Sequence, residues 1–137
     1  MLERLLLTVV LLAVGFFIYQ AFIRQQMRRV TELAYTDPLL QDLRRGVPAI
    51  VYFTTPTCAP CRMVQTPALA RIQCEYGDCI QIVRVDATEH PDDADRWGVF
   101  SAPTTFIIDG LGRTRAINHG VADDLKLRRQ LAEAAAI

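Results

Sequence analysis

The sequence predicts an α/β domain of about 100 residues, a central mixed sheet of about four strands flanked by helices, behind an N-terminal transmembrane helix. Three observations carry that expectation. Leu5 to Ile23 contains no charged residue. Short apolar runs at Ala49–Phe53, Ile80–Val85 and Thr104–Ile108, with a fourth strand at Arg113–Asn118, are set among helix-capable segments. The first two runs are joined through a helix and should pair in parallel, whereas Asp109-Gly110-Leu111-Gly112 joins the last two as a tight, antiparallel turn.

The uncharged stretch is 19 residues long. At 1.5 Å per residue it spans roughly 29 Å as a helix, close to the thickness of a bilayer core. A cleaved signal peptide is the competing reading, but the run exceeds a usual h-region and Tyr19-Gln20-Ala21-Phe22 is too bulky for a small-x-small cleavage site. A buried core helix fits less well, because the segment is apolar on all sides. The expected organisation is an anchor over residues 1–23, a juxtamembrane stalk over 24–36 and a globular domain over 37–137. Arg24, Arg28 and Arg29 follow the span and only Arg4 precedes it, so the positive-inside rule alone places the domain in the cytoplasm.

In the domain, Asp37-Pro38 caps a helix carrying Leu39, Leu40 and Leu43, which ends at Arg44-Arg45-Gly46. Val47 to Thr54 follows as a strand. Its apolar residues do not alternate, so both faces should be covered. A helix from about Ala59 to Tyr76 carries Val64, Ala68 and Ile72 on one stripe, is kinked by Pro67 and stops at Gly77. Ile80–Val85 is a second buried strand, and a short helix runs to about Trp97, which packs at its end. Thr104–Ile108 and Arg113–Asn118 form a hairpin with the latter strand at or near an edge, Asp109 serving the turn. Asp123 and Asp124 open a last helix with Leu127, Leu131, Ala134 and Ala135 on one face.

The chemistry concentrates at Cys58-Ala59-Pro60-Cys61, between the first strand and the helix that follows it. If Cys58 precedes the first helical turn, its sulfur meets unpaired backbone N–H groups and the positive end of the helix dipole, which favours the nucleophilic thiolate. Cys61, one turn inside, would be the shielded resolving thiol. Two buried hydrophobes, or a structural disulfide that never cycles, are the plainer alternatives.

From Asp37 onward the chain resembles the thioredoxin superfamily. The likeness rests on the strand Ala49–Phe53 running into Thr57-Cys58-Ala59-Pro60-Cys61-Arg62-Met63, the strand ending at Val85-Asp86, the segment Ser101-Ala102-Pro103-Thr104-Thr105-Phe106, and the glycine hairpin with Gly120 before the last helix. The resemblance implies thiol–disulfide exchange with Cys58 as attacking and Cys61 as resolving thiol. It also implies a cis-proline loop in which Ala102, Pro103 and Thr104 meet an extended substrate. Neither metal nor organic cofactor is implied. The implied partners are protein disulfides or dithiols and an upstream electron donor, with the bilayer held through residues 5–23. Four positions depart from the family pattern. Thr57 stands where tryptophan is usual, Tyr52 where many members bury a carboxylate, and Ile82 near a lysine often paired with that acid; Ala59 replaces a usual glycine. Anchored bacterial members usually face outward, which favours the extracytoplasmic side of a bacterial-type plasma membrane against the arginine count.

Cys74 and Cys79 admit three readings: a second disulfide stapling a helix end to the next strand, a Zn²⁺ site shared with Cys58 and Cys61, or two separate thiols. His90 and His119 are isolated, and Asp92, Asp93 and Asp95 read as a solvated helix start. Arg62 either adds positive potential near the thiolate or is simply an exposed helix residue. Residues 31–137 hold 11 basic and 14 acidic side chains with no basic stripe, which argues against a nucleic-acid partner. The expected function is a membrane-tethered thiol–disulfide oxidoreductase reducing protein disulfides. The alternative is a non-catalytic module of the same fold that positions a partner at the membrane.

Overall fold

A computed structural model describes residues 1–33 and 37–135. The apolar N-terminus lies within one helix, α1 (Leu2–Leu33). Its stretch Leu2–Arg28 is long and apolar enough to cross a membrane, and its side chains are largely exposed, as a lipid-facing helix or a signal sequence would have them. The expected stalk continues this helix through Leu33; Ala34, Tyr35 and Thr36 lie outside the described residues. Gln26 touches the domain, donating from Nε2 to the Gly98 carbonyl at 3.2 Å.

The domain contains β1 (Ala49–Thr54), α2 (Thr66–Tyr76), β2 (Gln81–Asp86), α3 (Pro91–Trp97), β3 (Thr104–Ile108), β4 (Thr114–His119) and α4 (Asp124–Ala135). The sheet order is β2-β1-β3-β4. β1 runs parallel to β2 with Tyr52 opposite Arg84, and antiparallel to β3 with Tyr52 opposite Thr105. β3 and β4 form the antiparallel hairpin, with β4 at the edge as expected.

All six residues of β1 are buried, which explains its unbroken apolar run. One face packs Val51 and Phe53 with Leu40, Trp97, Phe106 and Ile108; ring centroids of Trp97 and Phe106 lie 5.0 Å apart, edge to face. The other face packs Ile50 and Tyr52 with Cys61, Leu69, Ile72, Leu127 and Leu131. The site cysteine Cys61 is therefore part of a core that two helices close.

Four local expectations are corrected. The helix after Asp37 is only a 3₁₀ turn, Pro38–Leu40. Asp37 does cap it, accepting from the Leu39 N–H at 2.9 Å, but the segment is too short to propagate. The chain is then drawn toward β1 by Gln81, whose amide takes the Arg44 N–H at 2.7 Å and donates to the Arg44 carbonyl at 3.0 Å. The helix expected over Ala59–Tyr76 changes period before Pro67: Cys61–Gln65 is a π turn, and Thr66 donates its N–H to the Cys61 carbonyl five residues back. Pro67 then occupies the first turn of α2, where its missing N–H is harmless. The wider turn swings Val64 into solvent and Gln65 into the core, so Val64 does not share the stripe of Ala68 and Ile72. Finally, β2 is an edge strand of half-buried residues rather than a fully buried one, because it has a neighbour on one side only. In α4, Leu127, Leu131 and Ala134 face inward as expected, whereas Ala135 is exposed.

The hairpin turn is organised by Asp109, whose carboxylate accepts from the Leu111 and Arg113 N–H groups at 3.0 and 2.9 Å. Gly110 is required there, because a Cβ would lie 2.8 Å from the Gly46 carbonyl carbon. Trp97 packs at the end of α3 as expected and donates from Nε1 to buried Asp37 at 2.9 Å.

Candidate active site

Cys58 stands at the mouth of the turn that leaves β1, immediately before the helical residues Ala59 and Pro60. The turn is closed by the Cys58 N–H on the Thr55 carbonyl at 3.2 Å and the Arg62 N–H on the Cys58 carbonyl at 3.3 Å. Pro60 has no N–H to offer, so the Cys61 N–H is the donor aimed at the Cys58 Sγ, at 3.2 Å. Cys58 and Cys61 are joined in a disulfide with Sγ–Sγ 2.07 Å and Cα–Cα 5.3 Å. The two sulfurs differ in access: Cys58 is half-buried, Cys61 fully buried.

Beneath the pair lies Tyr52. Its hydroxyl donates to the Cys61 carbonyl at 3.4 Å and pairs with the Thr66 Oγ1 at 3.3 Å. The Cys61 carbonyl thus accepts from both the Thr66 N–H and the Tyr52 hydroxyl, so the π turn is satisfied from two sides. Tyr52 offers a hydroxyl, not a carboxylate, to the space under the disulfide.

The Ala102–Pro103 peptide bond is cis, as the resemblance implied. Ala102 and Cys58 both pack at the margin of the core cluster that contains Cys61. Thr104 donates from Oγ1 to the Ser101 carbonyl at 2.7 Å, and the Gly120 N–H donates to the Pro103 carbonyl at 2.8 Å. Two residues on, the fully buried Gln65 holds the same loop: its Nε2 donates to the Ala122 carbonyl at 3.1 Å and its Oε1 accepts the Ala122 N–H at 2.8 Å. Gln65 escaped the sequence reading. The only signal for it was a polar residue at a helical position one step from Val64, the expected core residue.

Cys74 and Cys79 stand apart from this site as exposed free thiols, and the staple between them is not formed. The corner they flank is closed by Gln73 instead, which donates from Nε2 to the Gly77 carbonyl at 2.8 Å. Among the described residues no three His, Cys, Asp or Glu side chains are grouped to hold a metal ion, and Cys58 and Cys61 are bonded to each other rather than free to join Cys74 and Cys79. His90 and His119 are both exposed, and His90 faces Asp93 at 3.6 Å. Arg62 is exposed beside Cys61.

The thioredoxin family model matches residues 28–133, most of the chain. The chain belongs to the thioredoxin family. It is 35% identical over 78 residues to thioredoxin 1 of Synechococcus elongatus, covering 57% of this chain and 69% of that protein. It is 35% identical over 82 residues to thioredoxin 1 of a Nostoc strain, covering 60% and 73%. Among solved structures, Fasciola hepatica thioredoxin superposes with a TM-score of 0.58 at 24% identity, covering 66% of this chain and 83% of that one. Thioredoxin-2 of a malaria parasite superposes with a TM-score of 0.63 at 20% identity, covering 69% and 90%. These two likenesses show the thioredoxin fold. Family membership and the bonded Cys58–Cys61 pair together make the chain a thiol–disulfide oxidoreductase.

Proposed function

We propose that the chain is a membrane-tethered reductase of protein disulfides, cycling Cys58 and Cys61 between dithiol and disulfide. The observation that carries this is the asymmetry of the pair: Cys58 is reachable at the open end of a helix with a backbone N–H on its sulfur, while Cys61 is buried behind it. A donor aimed at sulfur favours the thiolate.

In the reduced chain the Cys58 thiolate attacks one sulfur of a substrate disulfide. A mixed disulfide forms and the other substrate sulfur leaves as a thiolate, to be protonated. Cys61 then gives up its proton and attacks the Cys58 sulfur. The mixed disulfide breaks, the second substrate thiolate departs, and the Cys58–Cys61 bond is restored. Two electrons have passed to the substrate, and a dithiol donor must return them before the next cycle. The half-buried Ala102, held by the buried Pro103 and Thr104, offers its backbone to the extended substrate, and exposed Phe100 and Met63 stand near the two site segments in sequence. Reduction as the working direction requires a midpoint near the value of about −270 mV typical of thioredoxin. Equilibration of the purified chain with dithiol–disulfide buffers measures it, and a midpoint near the about −120 mV of a strong oxidant would reverse the assignment.

The tether is α1, whose uncharged stretch matches a bilayer and continues without a break into residues 24–33. The domain lies on the extracytoplasmic side, where substrate disulfides persist. On intact cells briefly treated with a reductant, a membrane-impermeant maleimide then labels Cys58, and the labelled chain stays with the membrane after alkaline carbonate washing. Labelling only after lysis would put the domain in the cytoplasm, and release by carbonate would show α1 to be removed or peripheral.

A further inference from the structure

We propose that the cleft between the Cys58 turn and the β2–α3 corner is a specificity subsite for an acidic side chain of the substrate polypeptide, close to its cystine. The proposal rests on the reductase reading above and names the substrate class for the same site. The cleft has a volume of about 440 Å³ and shares a wall with the redox pair: Thr55 and Pro56, which line it, belong to the turn whose Thr55 carbonyl takes the Cys58 N–H. A polypeptide held on Cys58 therefore has this cleft beside it.

Two independent observations point to a ligand. The first is Thr54, which lines the cleft and is 3% exposed; its Oγ1 is buried without a hydrogen-bond partner. A buried hydroxyl left unpaired costs stability, so its persistence calls for a group that pairs with it in some state of the protein. The second is charge. Arg71, Arg96, Arg113 and Arg128 each engage a carboxylate. Arg62 and Arg84, both lining the cleft and both exposed, have no such partner among the described residues. Arg62 directly follows Cys61, and Arg84 is in register with Tyr52 beneath the disulfide.

Of the two acids lining the cleft, Asp86 is already engaged, and Glu89 is exposed as the two arginines are. Asp86 already accepts the Thr88 N–H at 2.8 Å and the Thr88 hydroxyl at 2.6 Å. The Thr88 hydroxyl first, and then the Thr88 N–H, hold its carboxyl below the ordinary carboxylate range. Glu89 is exposed, and His90 leans toward Asp93. Two unpaired guanidinium groups thus remain for an incoming carboxylate, with the unpartnered Thr54 hydroxyl buried in the same wall. Leu39 and Val85 supply apolar wall for the methylene stem of a glutamate, which a small free anion would not use.

The test uses the full-length chain in detergent and two synthetic cystine peptides that differ only in glutamate or glutamine flanking the disulfide. At low salt the KM for the glutamate peptide should be roughly tenfold lower, and the difference should shrink as salt is raised. The double variant Arg62→Gln/Arg84→Gln should bring the KM ratio close to one. Thr54→Val should cut the ratio severalfold while the melting temperature holds or rises, a pairing that mere structural damage does not produce. Equal KM values in the unaltered chain, or a ratio that survives the double variant, overturns the subsite alone. No turnover of either peptide overturns the reductase reading and the subsite with it.

Discussion

Cys58→Ser lowers the rate of insulin disulfide reduction by at least about a thousandfold, and Cys61→Ser converts the chain into a trap that accumulates mixed disulfides. The two outcomes differ because the two sulfurs do. Cys58 is the one a substrate can reach, and it holds the Cys61 N–H at 3.2 Å. A serine hydroxyl there is neither ionised nor able to form a sulfur–sulfur bond, so exchange stops before any covalent adduct. Removing the Cys61 sulfur leaves the first attack intact and abolishes the second, because the only other cysteines, Cys74 and Cys79, lie exposed at the far end of α2. Non-reducing electrophoresis after incubation with substrate shows the adduct, and added dithiol dissolves it. If both variants reduce insulin and support growth as the unaltered chain does, the pair is structural, and the chain is a binding module that positions a partner at the membrane.

What could be read in advance follows the reach of each interaction. β1 was legible because burial on both faces writes itself as a run of apolar residues from Ala49 to Phe53. The hairpin was legible because Asp109 and Gly110 are short-range turn chemistry, and the Cys58–Cys61 pair because its two thiols are three residues apart. The π turn was not. Pro67 announces a disturbance, but whether the helix bends or changes period is decided by Tyr52, a residue on a strand that reaches the Cys61 carbonyl. Residues 38–44 have helical apolar spacing, yet Gln81, far along the chain, ties down Arg44 and leaves one 3₁₀ turn. Cys74 and Cys79 have a spacing that suits a staple, but the Gln73 amide closes that corner. In the first two cases a polar side chain from another element overrode a local pattern, and in the third a neighbouring amide did. The Thr54 cleft belongs to the same class, since no neighbour in sequence indicates that its hydroxyl would be buried without a partner.

Gln65 is expected to carry a large stability effect for a single polar side chain. It is fully buried, and its amide completes both backbone groups of Ala122, itself fully buried. Gln65→Leu keeps the volume and removes both bonds, leaving a buried N–H and a buried carbonyl unpaired. At roughly 1–3 kcal/mol for each orphaned group, the domain should lose about 3 kcal/mol, a fall in Tm of roughly 15 °C. Thermal unfolding followed by circular dichroism reads this directly, and a loss below about 1 kcal/mol would mean the Ala122 loop finds other partners. The effect should also reach the site. The Gly120 N–H holds the Pro103 carbonyl at 2.8 Å, so the segment Gly120–Ala122 links the cis-proline loop to the helix that bears Cys61. Releasing one end of that link leaves the disulfide in place but loosens the surface a substrate backbone must meet. KM for a protein disulfide should therefore rise severalfold at a temperature where the variant is still folded, while alkylation of the reduced Cys58 thiol, which needs no such surface, should proceed at nearly its usual rate. Gln65→Glu separates the two contributions. A carboxylate keeps the acceptor for the Ala122 N–H and loses the donor to its carbonyl, so it should recover part of the KM while burying a charge that lowers Tm further.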